Sequence, residues 1–407
     1  MGNSNTKSQP NQKGKLTERE MTIVCIYLNT QNDIFNLIQT HPKYKKITDK
    51  FKYNTVPITT KKFFPNMKKQ YLYNKEDVLI KGMKEYYVFY QVTYTEYLYE
   101  INDSWCCLQI EFNGEDREEF KEELKEEIPE ECTIVGKGCF DEQVENIIIP
   151  QHFEQLTNEC FKNYSQLKTI TLNNIHSLPE NCFRDCKQLQ TLDVSKIQSI
   201  GNYCFANCHS LSSISLQHPF HSLGKNCFYQ CTNLTEIKTN DIKHLYDPIS
   251  YWVYQLIIKS NPTILIDEIE YSMEDKQRYG KLIPDGITMI PTGLFEGDKE
   301  LKEILFPSSI KTIGKNCFAY CSSLTKIVFN DQVEYLPEGC CKACGELKEV
   351  SLPSKLKRIG IDCFYNCRKL EMLHNFNLSQ ITLEDRSFTY CTKINEIYQL
   401  PENATKL

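Results

Sequence analysis

Cys204-Phe205-Ala206-Asn207-Cys208-His209-Ser210-Leu211-Ser212-Ser213-Ile214-Ser215-Leu216 decides how this chain folds, because its pattern, Cys-Phe-x-x-Cys-x-x-Leu-x-x-Ile-x-Leu, returns every 22 to 24 residues. Further copies open at Cys182-Phe183, Cys227-Phe228, Cys317-Phe318 and Cys363-Phe364, with weaker ones at Cys160-Phe161, Leu294-Phe295, Cys340-Cys341 and Ser387-Phe388. A repeat of this length is a supersecondary unit that cannot bury its apolar face alone, whereas a series of stacked neighbours can. The Ile-x-Leu half of each copy alternates inward and outward, as a short strand does. Examples are Leu167, Ile170, Leu172; Leu189, Leu192, Val194; Leu324, Ile327, Phe329; and Leu347, Val350, Leu352. A second apolar pair follows a turn and ends at a residue suited to a corner: Ile197, Ile200, Gly201; Ile310, Ile313, Gly314; Leu356, Ile359, Gly360. Each coil buries about five to seven apolar side chains, worth roughly 1.5–3 kcal/mol apiece before chain entropy is subtracted. The expected fold is an α+β repeat solenoid, an array of short parallel strands with a small N-terminal helical module.

The chain has 407 residues and 20 cysteines, of which eight fall in the first repeat column (139, 160, 182, 204, 227, 317, 340, 363) and seven in the second (186, 208, 231, 321, 344, 367, 391). Periodic columns of this kind hold small buried residues, and free Cys behaves as one. The polar start, MGNSNTKSQPNQKGK, has no secretory character, so a reducing compartment and free core thiols are expected. No run of apolar residues is long enough to span a bilayer. Charge is uneven. Residues 1–85 carry 16 Lys/Arg against 7 Asp/Glu, and the remainder 31 against 46. Different partners for the two ends are implied.

Five segments follow: a flexible 1–15, an N-terminal module over 16–131, repeats over 132–239, an insertion over 240–282, and repeats again over 283–407. In the module, Thr17-x-x-Glu20 is a capping box for a helix carrying Met21, Val24 and Leu28, and a second helix starts near Asp33. Residues 86–101 are aromatic and β-branched and read as strand. The acidic stretch 115–131, with Phe120, Leu124 and Ile128 on one seam, reads as a solvated connecting helix. Inside the insertion, Asp247-Pro248 offers an N-cap for an amphipathic helix with Ile249, Trp252, Val253, Leu256 and Ile257 inward and Tyr251 and Tyr254 outward. That helix either plugs a break in the core or presents a recognition element.

The Cys-Phe-x-x-Cys-x-x-Leu-x-x-Ile-x-Leu unit, followed by Ile-x-x-Ile-Gly, resembles the BspA-like class of leucine-rich repeats over 132–400, apart from the interruption. That family usually has Ala-Phe where this chain has Cys204-Phe205 or Cys317-Phe318. The resemblance implies a binding role, as in the family's surface adhesins; the cysteine columns and the lack of a secretion signal look more like its protist branch. Ile26-Tyr27-Leu28, 33–38 and Phe64-Pro65-Asn66-Met67 resemble an F-box-like segment lacking its usual Leu-Pro opening. That implies a ubiquitin-ligase adaptor, and the alternative is a helical cap on the first coil.

Solenoids make surfaces more readily than reaction pockets, so a non-enzymatic protein-binding scaffold is expected. The outward strand positions are the candidate partner-binding residues. They are Thr169, Thr171, Thr191, Asp193, Ser213, Ser215, Glu236 and Lys238 in the first block, and Glu303, Leu305, Lys326, Val328, Glu349 and Ser351 in the second. This face has no basic stripe, so nucleic acid is not an expected partner. Catalytic and metal motifs are missing: the only Cys-x-x-Cys is Cys341 to Cys344, without a second pair for zinc, and no cofactor is expected. Met1-Gly2-Asn3-Ser4-Asn5-Thr6 matches the N-myristoylation pattern, which marks Gly2 for lipidation. A single acyl chain binds marginally, and the lysines between Lys43 and Lys69 would add attraction to an anionic inner leaflet. The expected location is cytoplasmic, on the cytoplasmic face of a membrane.

Overall fold

The computed structural model describes residues 16–101, 105–124, 127–217 and 219–406. Gly2 lies outside them. Two compact units divide at Phe140, with His152–Gln155 belonging to the first.

In the first unit, helices Glu18–Ile26 and Gln31–Thr40 both open with a capping box, Thr17 with Glu20 and Thr30 with Asp33. Met21, Cys25, Ile34, Ile47, Phe51, Phe64 and Met67 share one core. The chain then turns to parallel strand. Lys69–Leu72, Glu85–Val88 and Trp105–Cys107 pair side by side, as do Val92–Thr93, Ile110–Phe112 and Ile134–Val135. Short parallel strands are therefore already paired from Lys69, ahead of the repeats that the motif marks. The motif missed these coils because Lys69 faces Glu85 and Tyr86 faces Trp105, steps of 16 and 19 residues, with no Cys-Phe column to mark them.

Two further expectations change here. Only Glu85–Val88 and Val92–Thr93 of the aromatic stretch are strand, because Thr93 and Glu96 form a capping box that starts a helix at Tyr94–Tyr99. The acidic connecting helix is two short helices, Gly114–Glu119 and Lys121–Leu124. It is not merely solvated: Phe120 is buried, and buried Asp116 accepts hydrogen bonds from the Thr95 amide (2.9 Å) and hydroxyl (2.6 Å).

The second unit carries two strand ladders. The first-strand ladder joins Asn146–Ile148, Thr169–Thr171 and Thr191–Leu192, then Ser213–Gln217 with Glu236–Asn240, and later Glu303–Leu305, Lys326–Val328, Glu349–Ser351 and Met372–His374. The second joins Ser177–Leu178, Ser199–Ile200 and Ser222–Leu223, and later Tyr335–Leu336, Arg358–Ile359 and Thr382–Leu383. Where the chain turns the corner, coils touch backbone to backbone. A Cβ on Gly224 would sit 2.3 Å from the Gly201 carbonyl carbon, which is why the corner takes Gly.

Between the ladders the phenyl rings pile up. Phe161–Phe183, Phe183–Phe205 and Phe205–Phe228 have centroids 5.3, 5.5 and 5.7 Å apart and planes within 7° of parallel. Phe295–Phe318 and Phe364–Phe388 repeat the arrangement, and Cys341 takes the place between Phe318 and Phe364.

All twenty cysteines are free thiols. The two columns do different things. In the second column each Sγ–H donates to a main-chain carbonyl one coil back: Cys186 to Phe161, Cys208 to Phe183, Cys231 to Phe205, Cys321 to Phe295, Cys344 to Phe318, Cys367 to Cys341, and Cys391 to Phe364, at 2.9–3.1 Å. In the first column thiols meet each other, with Cys160 and Cys182 sulfurs 3.5 Å apart. Burial first, and the neighbouring thiols second, push Cys208 and Cys227 well above their ordinary range, so both stay protonated. Cys208→Ala removes one thiol–carbonyl bond and a small volume. Chemical unfolding should show a loss of about 1 kcal/mol, and an unchanged midpoint would mean that the bond is energetically idle.

The cysteine-bearing turn also needs two left-handed residues per coil, one just before the Cys-Phe pair and one just before the second Cys. Asn181 and Asp185, Tyr203 and Asn207, Asn226 and Gln230, and Asn316 and Tyr320 all have φ between 52° and 66°. Asn and Asp tolerate that region better than most residues.

Residues 240–282 carry the expected helix, at Tyr251–Ser260, with Trp252, Val253, Leu256 and Ile257 buried. They also carry parallel strands. His244–Leu245 pairs with Leu265–Ile266, and Ile249–Ser250 with Ile269–Glu270, which leads through Met289–Ile290 to Thr312–Ile313. The segment therefore lies within the stack, as coils whose turn has become a helix. Tyr251 and Tyr254 are partly buried against the core of the second block and do not face freely outward. The cap also differs from expectation. Asp247 accepts from the Leu223 amide (2.9 Å), while the Tyr251 and Trp252 amides donate to Asp275 at 3.1 and 2.7 Å. Asp275 is also the third residue of its own helix, Met273–Tyr279, and forms a capping box with Ser272.

After the last repeat, the tail folds back on the ladder. The amides of Arg386 and Phe388, which earlier coils direct at the next coil, donate to Asn403 and Ala404 carbonyls at 2.7 and 2.8 Å.

Candidate functional site

Period-two alternation in each first strand sends Ile170, Ile214, Ile304, Ile327 and Val350 inward and leaves their neighbours facing out. All fourteen predicted partner-binding residues sit on that outward face. Register brings them into rows. In the first block, Thr169 lies beside Asn146 and Thr191, Thr171 beside Ile148, Ser213 beside Glu236, and Ser215 beside Lys238. Asp193 follows its strand and accepts the Ser195 amide at 2.9 Å, a bond that holds its carboxyl below the usual range. In the second block one row reads Glu303, Lys326, Glu349, Met372 and the other Leu305, Val328, Ser351, His374.

The two blocks differ in character. The first is made of small hydroxyl side chains that bond along the row, such as Thr169 to Asn146 at 2.6 Å. In the second, Lys326 forms an ion pair with Glu349 across coils, and the His374 ring also bonds to Glu349, both reaching Oε1 at 2.9 Å. The bond from Lys326 first, and that from His374 second, hold the Glu349 carboxyl below the ordinary carboxylate range. Beside this self-satisfied row stands an apolar one. Leu305 is 68% exposed, an unusual state for a leucine in a strand, and Val328 is half-buried next to it.

Sequence reasoning missed further members of the face, among them Asn146, Ile148, Gln217, Met372 and His374. The signal was present, since Ile148 alternates with Ile147 and Ile149, and Met372 and His374 flank Leu373 three residues after Leu370. In the N-terminal segment, Ile34, Phe64 and Met67 are committed to their own core while Phe35 is exposed. Among the described residues no cluster of three or more His, Cys, Asp or Glu is placed to hold a metal ion, and no helix is long and apolar enough to cross a membrane.

Stacked parallel coils, an apolar spine and an outward strand face define a leucine-rich repeat solenoid. The sequence matches the BspA type leucine rich repeat region in 6 copies, over residues 123–235 and 280–406, and the chain belongs to that family. Among solved structures it is similar to a leucine-rich repeat protein from Bacteroides ovatus, with 20% identity, covering 68% of this chain and 86% of that one, at a TM-score of 0.38. It is also similar to the leucine-rich repeat protein of T. pallidum (19% identity, 65% and 84% covered, TM-score 0.28) and to a leucine rich cell surface protein from Faecalibacterium prausnitzii (18%, 61% and 84%, 0.33). No curated protein matches the sequence.

Proposed function

We propose that the chain is a non-enzymatic interaction scaffold in which the outward face of the first-strand ladder binds a protein, with Leu305 at the centre of the contact. The observation that supports this is the pairing of a highly exposed leucine with neighbouring charges already neutralised by one another. Apolar anchors inside a polar rim concentrate binding energy, and paired rim charges add little. Ser351 pairs with His374 in register, but His374 Nε2 is taken up by Glu349 at 2.9 Å, so recognition, not turnover, is the reading. It includes a tether at the cytoplasmic face of a membrane through an acylated Gly2, supported by the match to the acylation pattern and by exposed Lys43, Lys45, Lys46, Lys61 and Lys62.

Proximity labelling in cells, run in parallel with wild type and Leu305→Arg, tests the face. Loss of a hot-spot contact worth about 2 kcal/mol should reduce labelling of face-dependent partners about 30-fold. An identical labelled set from both proteins would remove the face from consideration.

A further inference from the structure

Several charged residues of the second unit meet an opposite charge across neighbouring coils. Glu145 pairs with Lys168 at 2.8 Å, Glu338 with Lys315 at 2.8 Å, Glu346 with Lys369 at 2.7 Å, and Glu371 with Lys393 at 2.5 Å. The first unit holds a column in which three successive charges have the same sign. The Lys68 amide donates to the Lys52 carbonyl at 2.8 Å, and the Lys84 amide to the Lys68 carbonyl at 3.4 Å. These bonds stack Lys52, Lys68 and Lys84 on consecutive rungs, about 5 Å apart as parallel strands require. The same position of the later ladder holds Glu145 and Lys168, joined by the same Lys168-to-Glu145 amide bond (2.7 Å). There nature places opposite charges; here it places three like ones.

All three lysines are exposed, and none has an ion-pair partner among the described residues. Glu85, the acid next in sequence to Lys84, is occupied by Lys69 at 2.7 Å. Like charges on adjacent rungs oppose folding. The wider segment gives no relief, since residues 43–84 hold 12 lysines against 3 acidic residues. A rail that repels itself is stabilised by a surface of opposite sign.

A tyrosine row on the same coils, with Lys69 Nζ 4.8 Å from the Tyr87 ring centroid, indicates which surface. Tyr53 follows Lys52, and Tyr71 and Tyr87 stand three residues beyond Lys68 and Lys84, in register. Tyr53 stacks on Tyr71 at 4.4 Å and 11°, and Tyr71 leans on Tyr87 at 5.3 Å. Their ring faces are spent on each other, which leaves poor platforms for stacking nucleobases. Half-buried phenols beside lysines instead match the boundary of a bilayer, where amphipathic rings sit at headgroup level and cations meet anionic lipid.

We propose that Lys52, Lys68 and Lys84, with the Tyr53–Tyr71–Tyr87 row, form a docking site for a bilayer bearing anionic phospholipid. The proposal rests on the membrane reading above, whose basic segment it narrows to one stacked set of lysines, and it does not depend on the acyl chain. Full-length Gly2→Ala protein, which cannot be acylated, is sedimented with phosphatidylcholine vesicles containing or lacking phosphatidylserine, at low and high salt. Binding should require the anionic lipid and weaken with salt. The triple variant Lys52→Ala, Lys68→Ala, Lys84→Ala should bind about 100-fold more weakly. Its thermal midpoint should equal or exceed that of its Gly2→Ala parent, because repulsion is removed, so lost binding is not lost folding. Equal sedimentation with both vesicle types, or wild-type binding by the triple variant, overturns the site. Tight binding to a single-stranded oligonucleotide without vesicle binding also overturns it, in favour of nucleic acid. None of these outcomes touches the Leu305 face, which the labelling experiment reads separately.

Discussion

Asp275→Ala should strip protection from two helices at once. The carboxylate is fully buried and accepts from the Trp252 amide at 2.7 Å, the Tyr251 amide at 3.1 Å, the Ser272 amide at 2.8 Å and the Ser272 hydroxyl at 2.6 Å. Burial pushes its pKa up, and those four bonds pull it back down. Loss of a side-chain cap costs about 1–2 kcal/mol, and here two caps fail inside a dry site that then holds unpaired amides. The expected total is about 3–4 kcal/mol, with hydrogen exchange accelerating at the first amides of Tyr251–Ser260 and Met273–Tyr279. Asp275→Asn should fare little better, since Oδ2 faces three donors and Oδ1 a fourth, so an NH2 on either side opposes an N–H. If only the Met273–Tyr279 amides lose protection, the cross-coil cap is not holding the Tyr251–Ser260 helix.

Phe205→Ala should be comparably severe for a different reason. The ring is wholly buried between Phe183 and Phe228, and its coil has no other aromatic in that column. Truncation of a buried phenylalanine costs about 3–5 kcal/mol when the surroundings cannot collapse. They cannot do so here, because the spacing of the two flanking rings is fixed by backbone ladders on either side. Each coil contacts mainly its neighbours, so damage should centre on the coils of Phe183 and Phe228 and fade by Phe318. Hydrogen exchange measured coil by coil checks this. Uniform loss across the whole array would mean that the solenoid melts as one unit.

How much of this was open to sequence reading varied with the chemistry of each element. The coils marked by Cys-Phe were legible because one residue type recurs at one depth of the core, and so were the outward strand positions, which follow from the inward ones. The coils from Lys69 onward were hidden, since their steps shorten and Tyr, Val and Leu share the core columns. The aromatic stretch misled because Tyr94 to Tyr99 has strand-like composition while Thr93 and Glu96 supply a helix start that outweighs it. Asp275 could not have been found as the cap of a helix whose first amides lie 23 and 24 residues upstream, because only stacking brings the two together. The lysine rail was visible as composition alone; its like-charge stacking needed the register.

The thiol columns give the molecule a built-in set of clocks. Except for Cys106 and Cys107 on the Trp105–Cys107 strand, every cysteine is buried. A reagent that attacks sulfur must therefore wait for the surrounding turn to open, and the waiting time at Cys186, Cys231, Cys321 or Cys367 reports how often that particular turn breathes. One chain under native conditions thus carries a reporter along most of its length, and timed alkylation read by peptide mass would chart which turns loosen first.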